Sequence, residues 1–195
     1  MKNLTGKVVL VTGAGKGAGR EIALALAARG ALVAVNDLSP VNLDPLVDEI
    51  LAAGGSARAY PHDIAKKVDV QAMVNTLSDD FGRIDILVNC AHVEPRTSFL
   101  NFDEWDLHRV FEVNAIGTIL VMQIVGRVMR TQESGLMINL VRIPADSSAP
   151  VVASRAGIAA MTQRAALELG EHGIHVCLVT ADEHPAEAVL AACQE

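Results

Sequence analysis

Short apolar runs alternate with stretches of helical period along nearly the whole chain. Lys7–Thr12, Ala31–Asn36, Ser56–Tyr60, Ile84–Asn89, Leu136–Val141 and Ile174–Thr180 have strand length, and most are rich in Val, Ile and Leu. Such runs read as strands covered on both faces. Between them, Gly17–Arg29 repeats Ile22, Ala23, Leu26 and Ala27 on one face of a helix. Further helices are predicted near Leu43–Ala53 and over Ala65–Phe81, Phe102–Arg130, Ala153–Glu171 and Ala186–Cys193, with a candidate break near Asn114–Gly117. Gly30, Gly54-Gly55, Gly82 and His172-Gly173 punctuate the helix ends, where a left-handed residue closes the last turn.

Strands alternating with amphipathic helices make repeated βαβ units, so the predicted class is α/β. After the first strand the chain reads Thr12-Gly13-Ala14-Gly15-Lys16-Gly17-Ala18-Gly19 and then enters a helix. Glycines at that junction let backbone N–H groups approach a pyrophosphate at the positive end of the helix. The expected architecture is a three-layer doubly wound (Rossmann) domain, with a parallel sheet of about six strands, occupying residues 1–195 as one domain. The dinucleotide is expected across the carboxyl edge of that sheet. No linker, low-complexity stretch or short repeat interrupts it.

Composition narrows the picture in a few respects. Of 195 residues, 51% are hydrophobic and only 3% aromatic, so the core must be built from Ala, Val, Leu and Ile. A net charge of −7 argues against nucleic acid as a partner. Cys90, Cys177 and Cys193 are an odd count without metal-like spacing; no metal site is expected, and reduced thiols point to a cytoplasmic protein. The first residues, Met-Lys-Asn-Leu-Thr-Gly, run straight into a strand and read as no signal peptide. No apolar stretch reads as long enough, free of charge, to span a bilayer.

The glycine segment resembles the Thr-Gly-x-x-x-Gly-x-Gly signature of the short-chain dehydrogenases/reductases, and five further matches follow in order. Asp37 ends the second strand. His62-Asp63-Ile64 follows the third, like the family's adenine-contacting Asp-Val pair. Asn89-Cys90-Ala91-His92 resembles Asn-Asn-Ala-Gly, and Asn114 in Glu-Val-Asn-Ala-Ile-Gly resembles the helix-borne active-site Asn. Ala153-Ser154-Arg155-Ala156-Gly157 is similar to the tail of Tyr-x-Ala-Ser-Lys-Ala-Gly. The likeness runs from about Leu4 to Val179.

The resemblance implies a dinucleotide held by Gly13, Lys16, Gly17, Ala18, Gly19, Asp37, Asp63, Ile64, Asn89, Ala91 and Arg155. A carboxylate at Asp37 would accept ribose hydroxyls and repel a 2′-phosphate, which favours NAD, although Lys16 is a cation that could meet such a phosphate. Asp37 could otherwise be a cap or turn residue before Ser39-Pro40, and Asp63 a turn residue opening a helix. Asn89 is expected to brace the loop beside the cofactor.

On the reaction side the pattern departs. Val151-Val152-Ala153-Ser154-Arg155 stands where the family has Tyr-x-Ala-Ser-Lys, so Val151 takes the proton donor's place and Arg155 the lysine's. Arg155 could still bond ribose hydroxyls but cannot pass on a proton. Arg142 falls at the carbonyl-orienting serine, where it could bind a carboxylate or phosphate, stabilise an alkoxide, or fill the site. Ser147 and Ser148 read as turn residues before Pro150. Tyr60, the single tyrosine, reads as a packing residue. The usual Pro-Gly is Ala181-Asp182, and the family's lid helices and final edge strand have no counterpart in the residues that follow.

The expected function is therefore an NAD(H)-binding relative of these enzymes that lacks their Ser/Tyr/Lys set, a pseudoenzyme acting as a catalytically impaired subunit or regulatory homologue. The family positions are held by Asn114, Arg142, Val151 and Arg155, so no catalytic residue is assigned. The rival is an active NAD-dependent alcohol/ketone oxidoreductase using His92 or an ordered water; a redox-ratio sensor is a third reading. The resemblance also implies pairing between subunits through Phe102–Arg130 and Ala153–Glu171, as a homo-oligomer or beside an active relative.

Overall fold

The computed structural model describes residues 3–180 and 183–194. Ala181-Asp182, read above as standing for Pro-Gly, lies outside the described residues. Six strands form one parallel sheet: β1 (Val8–Thr12), β2 (Leu32–Asp37), β3 (Ser56–Pro61), β4 (Ile86–Asn89), β5 (Gly135–Leu140) and β6 (Ile174–Val179). Their order is β3-β2-β1-β4-β5-β6, the doubly wound Rossmann arrangement the sequence predicts. The chain winds outward from β1 to β3, returns, and winds outward again from β4. The switch between β1 and β4 opens a crevice at the carboxyl ends of these two strands.

Period-2 alternation sorts side chains to the two faces. Val9, Val11, Val33, Val35, Ile86, Val88 and Ile138 face α1 (Gly17–Ala27), α2 (Pro40–Ala52) and α7 (Pro185–Ala192). Val8, Leu10, Ala34, Leu87 and Met137 face α3 (Lys67–Phe81), α5 (Thr118–Gln132) and α6 (Ala149–Gly170). Small side chains keep the layers close; Gly135, for instance, has Met129 where a Cβ would stand.

Two helices start earlier than their periodicity suggests, α2 at Pro40 rather than near Leu43 and α6 at Ala149 rather than Ala153. Both carry a proline in the first turn, where a missing N–H loses no bond. The expected break near Asn114–Gly117 is a widening instead. After α4 (Glu104–Val110), residues Phe111–Gly117 continue as a π-helical segment into α5. Gly117 permits the close approach this requires, because a Cβ there would lie 3.0 Å from Ile64.

This continuous helical run bears on the membrane expectation without overturning it, since Arg109, Glu112, Arg127 and Arg130 interrupt its apolar stretch. Glu104–Gln132 spans 29 residues and is long and apolar enough, by length and composition, to cross a bilayer. The better physical reason for its character is packing: Val113, Val121, Met122, Ile124, Val125 and Met129 belong to the core beneath the sheet.

Candidate functional site

The phosphate end of the crevice is shaped by backbone. Gly13 turns with φ +64°, and a Cβ there would meet Ala91 Cα at 2.5 Å. A Cβ on Gly19 would fall 2.2 Å from the Gly13 carbonyl oxygen. These two glycines let the β1–α1 turn, the chain after β4 and the start of α1 touch. Gly17 differs: its φ is +54°, and nothing lies within 4 Å of where its side chain would be. The sequence therefore packs the turn from below and leaves its outer side open, which fits a group that approaches backbone N–H donors.

Asp37, at the end of β2, is tied to the same turn. Its carboxylate accepts the Gly15 N–H at 3.1 Å and the Leu38 N–H at 2.8 Å. The helix cap position itself belongs to Ser39. Asp63 accepts the Ala65 N–H at 3.0 Å, the turn geometry considered above, and stands 3.9 Å from Arg109. Gly13, Lys16, Gly17, Ala18, Gly19, Asp37, Asp63, Ile64 and Ala91 all line one cleft of about 760 Å³. Its opposite wall includes Trp105 and Arg109 of α4, which sequence reasoning did not single out.

At the other end this cleft adjoins a small cavity of about 30 Å³ bordered by Asn89, Asn114, Asn139, Arg142 and Arg155. Ala18, Cys90, His92 and Arg142 line both spaces; Arg142 thus lines the cleft. Asn89 does not brace the neighbouring loop as expected. Its amide donates to Asn139 Oδ1 at 2.8 Å on β5, and Asn139 donates to Thr162 at 2.9 Å. The loop is held by others: Thr12 Oγ1 accepts the Cys90 and Ala91 N–H groups, and Asn114 bonds both the N–H and the carbonyl of Val93, at 2.8 and 2.9 Å. Asn114 also reaches Ser154 at 3.4 Å. Its polar atoms are committed to position, not left free to move a proton.

Val151 is fully buried in the first turn of α6 and lines neither space. Arg155, one turn on, is only 6% exposed and pairs with Glu94 at 3.2 Å. Glu94 also accepts the Ser147 hydroxyl at 3.0 Å. Burial lowers the Arg155 guanidinium from its ordinary value, opposed by Glu94 and reinforced by the charge of Arg142. The Cys90 thiol is pushed up to about 12 by burial, so it stays protonated.

His92 places Nδ1 2.9 Å from the Cys90 carbonyl oxygen. Since that oxygen only accepts, Nδ1 carries the proton and Nε2 offers a lone pair. Burial lowers the imidazole below its ordinary value, with Arg155 and Arg142 adding to this against the Cys90 carbonyl and Glu94. At neutral pH it is uncharged and has no proton to give from Nε2. Tyr60, far from this end, donates to Asp80 at 2.6 Å from a buried position on β3, and burial raises its phenol. It packs, as expected.

Four buried side-chain atoms lack a hydrogen-bond partner among the described residues: Asn89 Oδ1, Arg142 Nε, Ser148 Oγ and Arg155 Nη1. The parent residues of three of them line the 30 Å³ cavity. Sequence reasoning placed Arg142 and Arg155 individually. It missed the Asn89–Asn139–Thr162 chain and the Glu94–Arg155 pair, which joins residues 61 positions apart and leaves no periodic signal.

Residues 7–183 match the family described as short chain dehydrogenase. The 3-oxoacyl-(acyl-carrier-protein) reductase of Synechocystis sp. is 37% identical over 181 residues, covering 90% of this chain and 73% of the relative. Among solved structures, a metagenomic short-chain oxidoreductase in complex with NADP superposes with a TM-score of 0.91 at 28% identity, over 100% of this chain and 94% of the other. NAD+-bound xylitol dehydrogenase gives 0.88 at 32% identity, over 92% and 71%.

Proposed function

The chain belongs to the short-chain dehydrogenase family, and from that premise we propose an NAD(H)-binding member, one domain over residues 1–195, whose proton-transfer machinery is degenerate. It serves as a catalytically impaired subunit or regulatory homologue. The observation that carries this reading is the content of the two joined spaces. The phosphate end keeps its glycine cradle and a carboxylate, while the reaction end presents Arg142, Arg155 and a deprotonated-Nε2 histidine, with Val151 turned into the core.

Each half has a stated task. Open space over Gly17 and the start of α1 would take the pyrophosphate on backbone N–H groups of Gly17, Ala18 and Gly19. Asp37 would accept ribose hydroxyls with lone pairs not used by Gly15 and Leu38, and its charge would oppose a 2′-phosphate. This favours NAD over NADP, with Lys16 the group working the other way. Asp63, Ile64 and Ala91 would border the adenine side and the turn, and Asn89 and Arg155 the nicotinamide ribose. Bound NADH would supply a hydride; reduction of a carbonyl would then need a proton as well, which Val151 cannot give and the uncharged His92 does not carry on Nε2. A missing acid/base group costs about two to four orders of magnitude in rate.

Subunit association fits the exposed apolar residues Trp105, Ile116 and Ile119 on the long helix and Val152 and Leu167 on α6. The decisive experiment titrates purified protein with NADH and NADPH, then assays alcohol and ketone panels. Tight NADH binding, NADPH at least tenfold weaker and no turnover support the reading. Multiple turnovers by the isolated chain overturn it.

A further inference from the structure

The reaction end of the cleft carries an unbalanced charge. Arg142 lines the wall shared by the cleft and the small cavity, and it has no carboxylate within ion-pair distance among the described residues. Arg155 borders the small cavity and is paired with Glu94 at 3.2 Å, while Glu94 lines the cleft. The other groups on the surrounding elements add no free charge. His92 is neutral at pH 7, the Cys90 thiol is protonated, and Asp146 is taken up by Arg96 at 3.3 Å in an exposed pair. Two guanidiniums against one carboxylate leave one positive charge unmatched, and it belongs to Arg142.

His92 shows what these charges do to a ring. Its imidazole lines both spaces and, like a nicotinamide, is an aromatic ring that is either neutral or singly positive. Desolvation by its surroundings is the largest influence holding it neutral, and the Cys90 carbonyl opposes this. Among the charges, Arg155 outweighs Glu94, and Arg142 adds to Arg155. A cationic ring at this end therefore meets a net like charge, and a neutral ring does not. At roughly 10 Å and an effective dielectric of about 20, one unit charge changes an equilibrium about tenfold. Such an effect needs no hydrogen bond to the ring.

We propose that Arg142 makes the reaction end selective for the reduced dinucleotide: its unmatched charge admits the neutral dihydronicotinamide of NADH and disfavours the cationic ring of NAD+. This rests on the reading above that a dinucleotide fills the cleft with its nicotinamide toward the Arg142 end. Glu94 works in the opposite direction. NADH and NAD+ share the pyrophosphate, both riboses and the adenine, so the contacts of the phosphate end cancel in the ratio of their affinities. What remains is set by the ring and the charges beside it. With such a preference and no proton donor, the occupancy of the chain follows the reduced fraction of the nucleotide pool, the property a redox-responsive regulatory subunit needs.

Separate calorimetric titrations of the full chain with NADH and with NAD+ at neutral pH test this. The unmodified protein is expected to bind NADH about tenfold more tightly than NAD+. Arg142→Gln and Arg142→Met should cut that ratio by about threefold or more, Arg142→Lys should keep it, and Glu94→Gln should raise it. A loss of stability that weakens both nucleotides alike leaves the ratio unmoved, so the ratio separates charge from structure. Melting curves identify a variant that fails to fold; Arg142→Met, which replaces an unpartnered donor with an apolar chain of similar volume, is the one expected to stay folded. A ratio unmoved in both Arg142→Gln and Arg142→Met, an equal loss in Arg142→Lys and Arg142→Gln, or a fall in Glu94→Gln would each overturn the proposal. Equal affinities of the unmodified protein for NADH and NAD+ sink this inference alone and leave the dinucleotide reading standing. A chain that binds neither nucleotide sinks both.

Discussion

The two ends of the cleft are made from different materials. At the phosphate end the contacts are main-chain, set by where β1, β2 and β4 stop and by glycines that let the segments touch. At the reaction end they are side-chain, carried by β5, the loop after β4 and α6. A backbone site can be lost only by disturbing the fold, whereas a side-chain site can change character through substitutions at Val151, Arg142 and Arg155 alone. On the function proposed above, the difference explains how one molecule could keep a nucleotide cradle while the chemistry beside it changes.

The strongest way to break the comparison is to attack the cradle. Gly19→Ala would drive a methyl into the Gly13 carbonyl, 2.2 Å away, with backbone on both sides and no flexible neighbour to yield. Overpacking of this kind costs about 1–3 kcal/mol or more. The expected outcome is a loss of about 3 kcal/mol in urea denaturation and of NADH binding by at least a hundredfold. A stable Gly19→Ala protein with unchanged NADH affinity would show that the turn is not set by backbone contact.

The amino edge of the sheet sharpens the contrast, because there a buried charge is fully satisfied. Asp85 accepts from the Val8 N–H at 2.9 Å, from Lys7 at 3.0 Å and from Arg83 at 2.6 and 3.0 Å. Burial pushes its carboxyl up, but the bonds from Arg83, Val8 and Lys7 outweigh this and hold it below the ordinary value. Its contribution is therefore complete above the unfolded-state value, near 3.8, and is lost as pH falls below it through the folded-state value. Asp85→Asn should cost about 2 kcal/mol at pH 7, and progressively less of that difference should survive in denaturation curves taken below about pH 4. Lys7 and Arg83 are half-exposed, which limits the loss.

What could be read from the chain follows the same division. Strand positions and the glycine turn are legible because each is coded by neighbours: alternation within a strand, or a glycine at a turn. Asp37 is legible for the same reason, lying at the end of an apolar run. Asn89 is not, since its partner Asn139 is 50 residues away on the next strand. The start of α6 escapes periodicity because Ser148 and Pro150 look like a turn until the helix that follows is seen to absorb them. The π-helical segment escapes it too: apolar spacing marks an irregularity near Asn114, but only the Val93 contacts and the approach to Ile64 show why the helix widens there.

Selectivity between nucleotides is a smaller and finer test. Asp37→Asn keeps an acceptor for ribose hydroxyls and an oxygen for the Gly15 N–H, yet removes the charge. NADH affinity should fall a few-fold while NADPH rises, shifting their ratio about tenfold, roughly 1.4 kcal/mol. An unchanged ratio in paired titrations would remove Asp37 as the discriminating group and leave Lys16 to be tested in its place.

The smallest expected effect has an unusual sign. Arg142→Met removes a buried donor that has no partner and a charge that opposes Arg155, while the thioether chain refills similar volume. Replacing an unsatisfied polar group by a well-packed apolar one is commonly neutral to stabilising, so a gain of about 0.5–1 kcal/mol is expected. Arg155→Met should move the other way, because it strips Glu94 of its cation at a largely buried position. Denaturation of the two variants side by side separates a guanidinium kept for binding from one kept for structure. If Arg142→Met is destabilised as much as Arg155→Met, both cations are structural, and the reaction end is a packed remnant, not a recognition site.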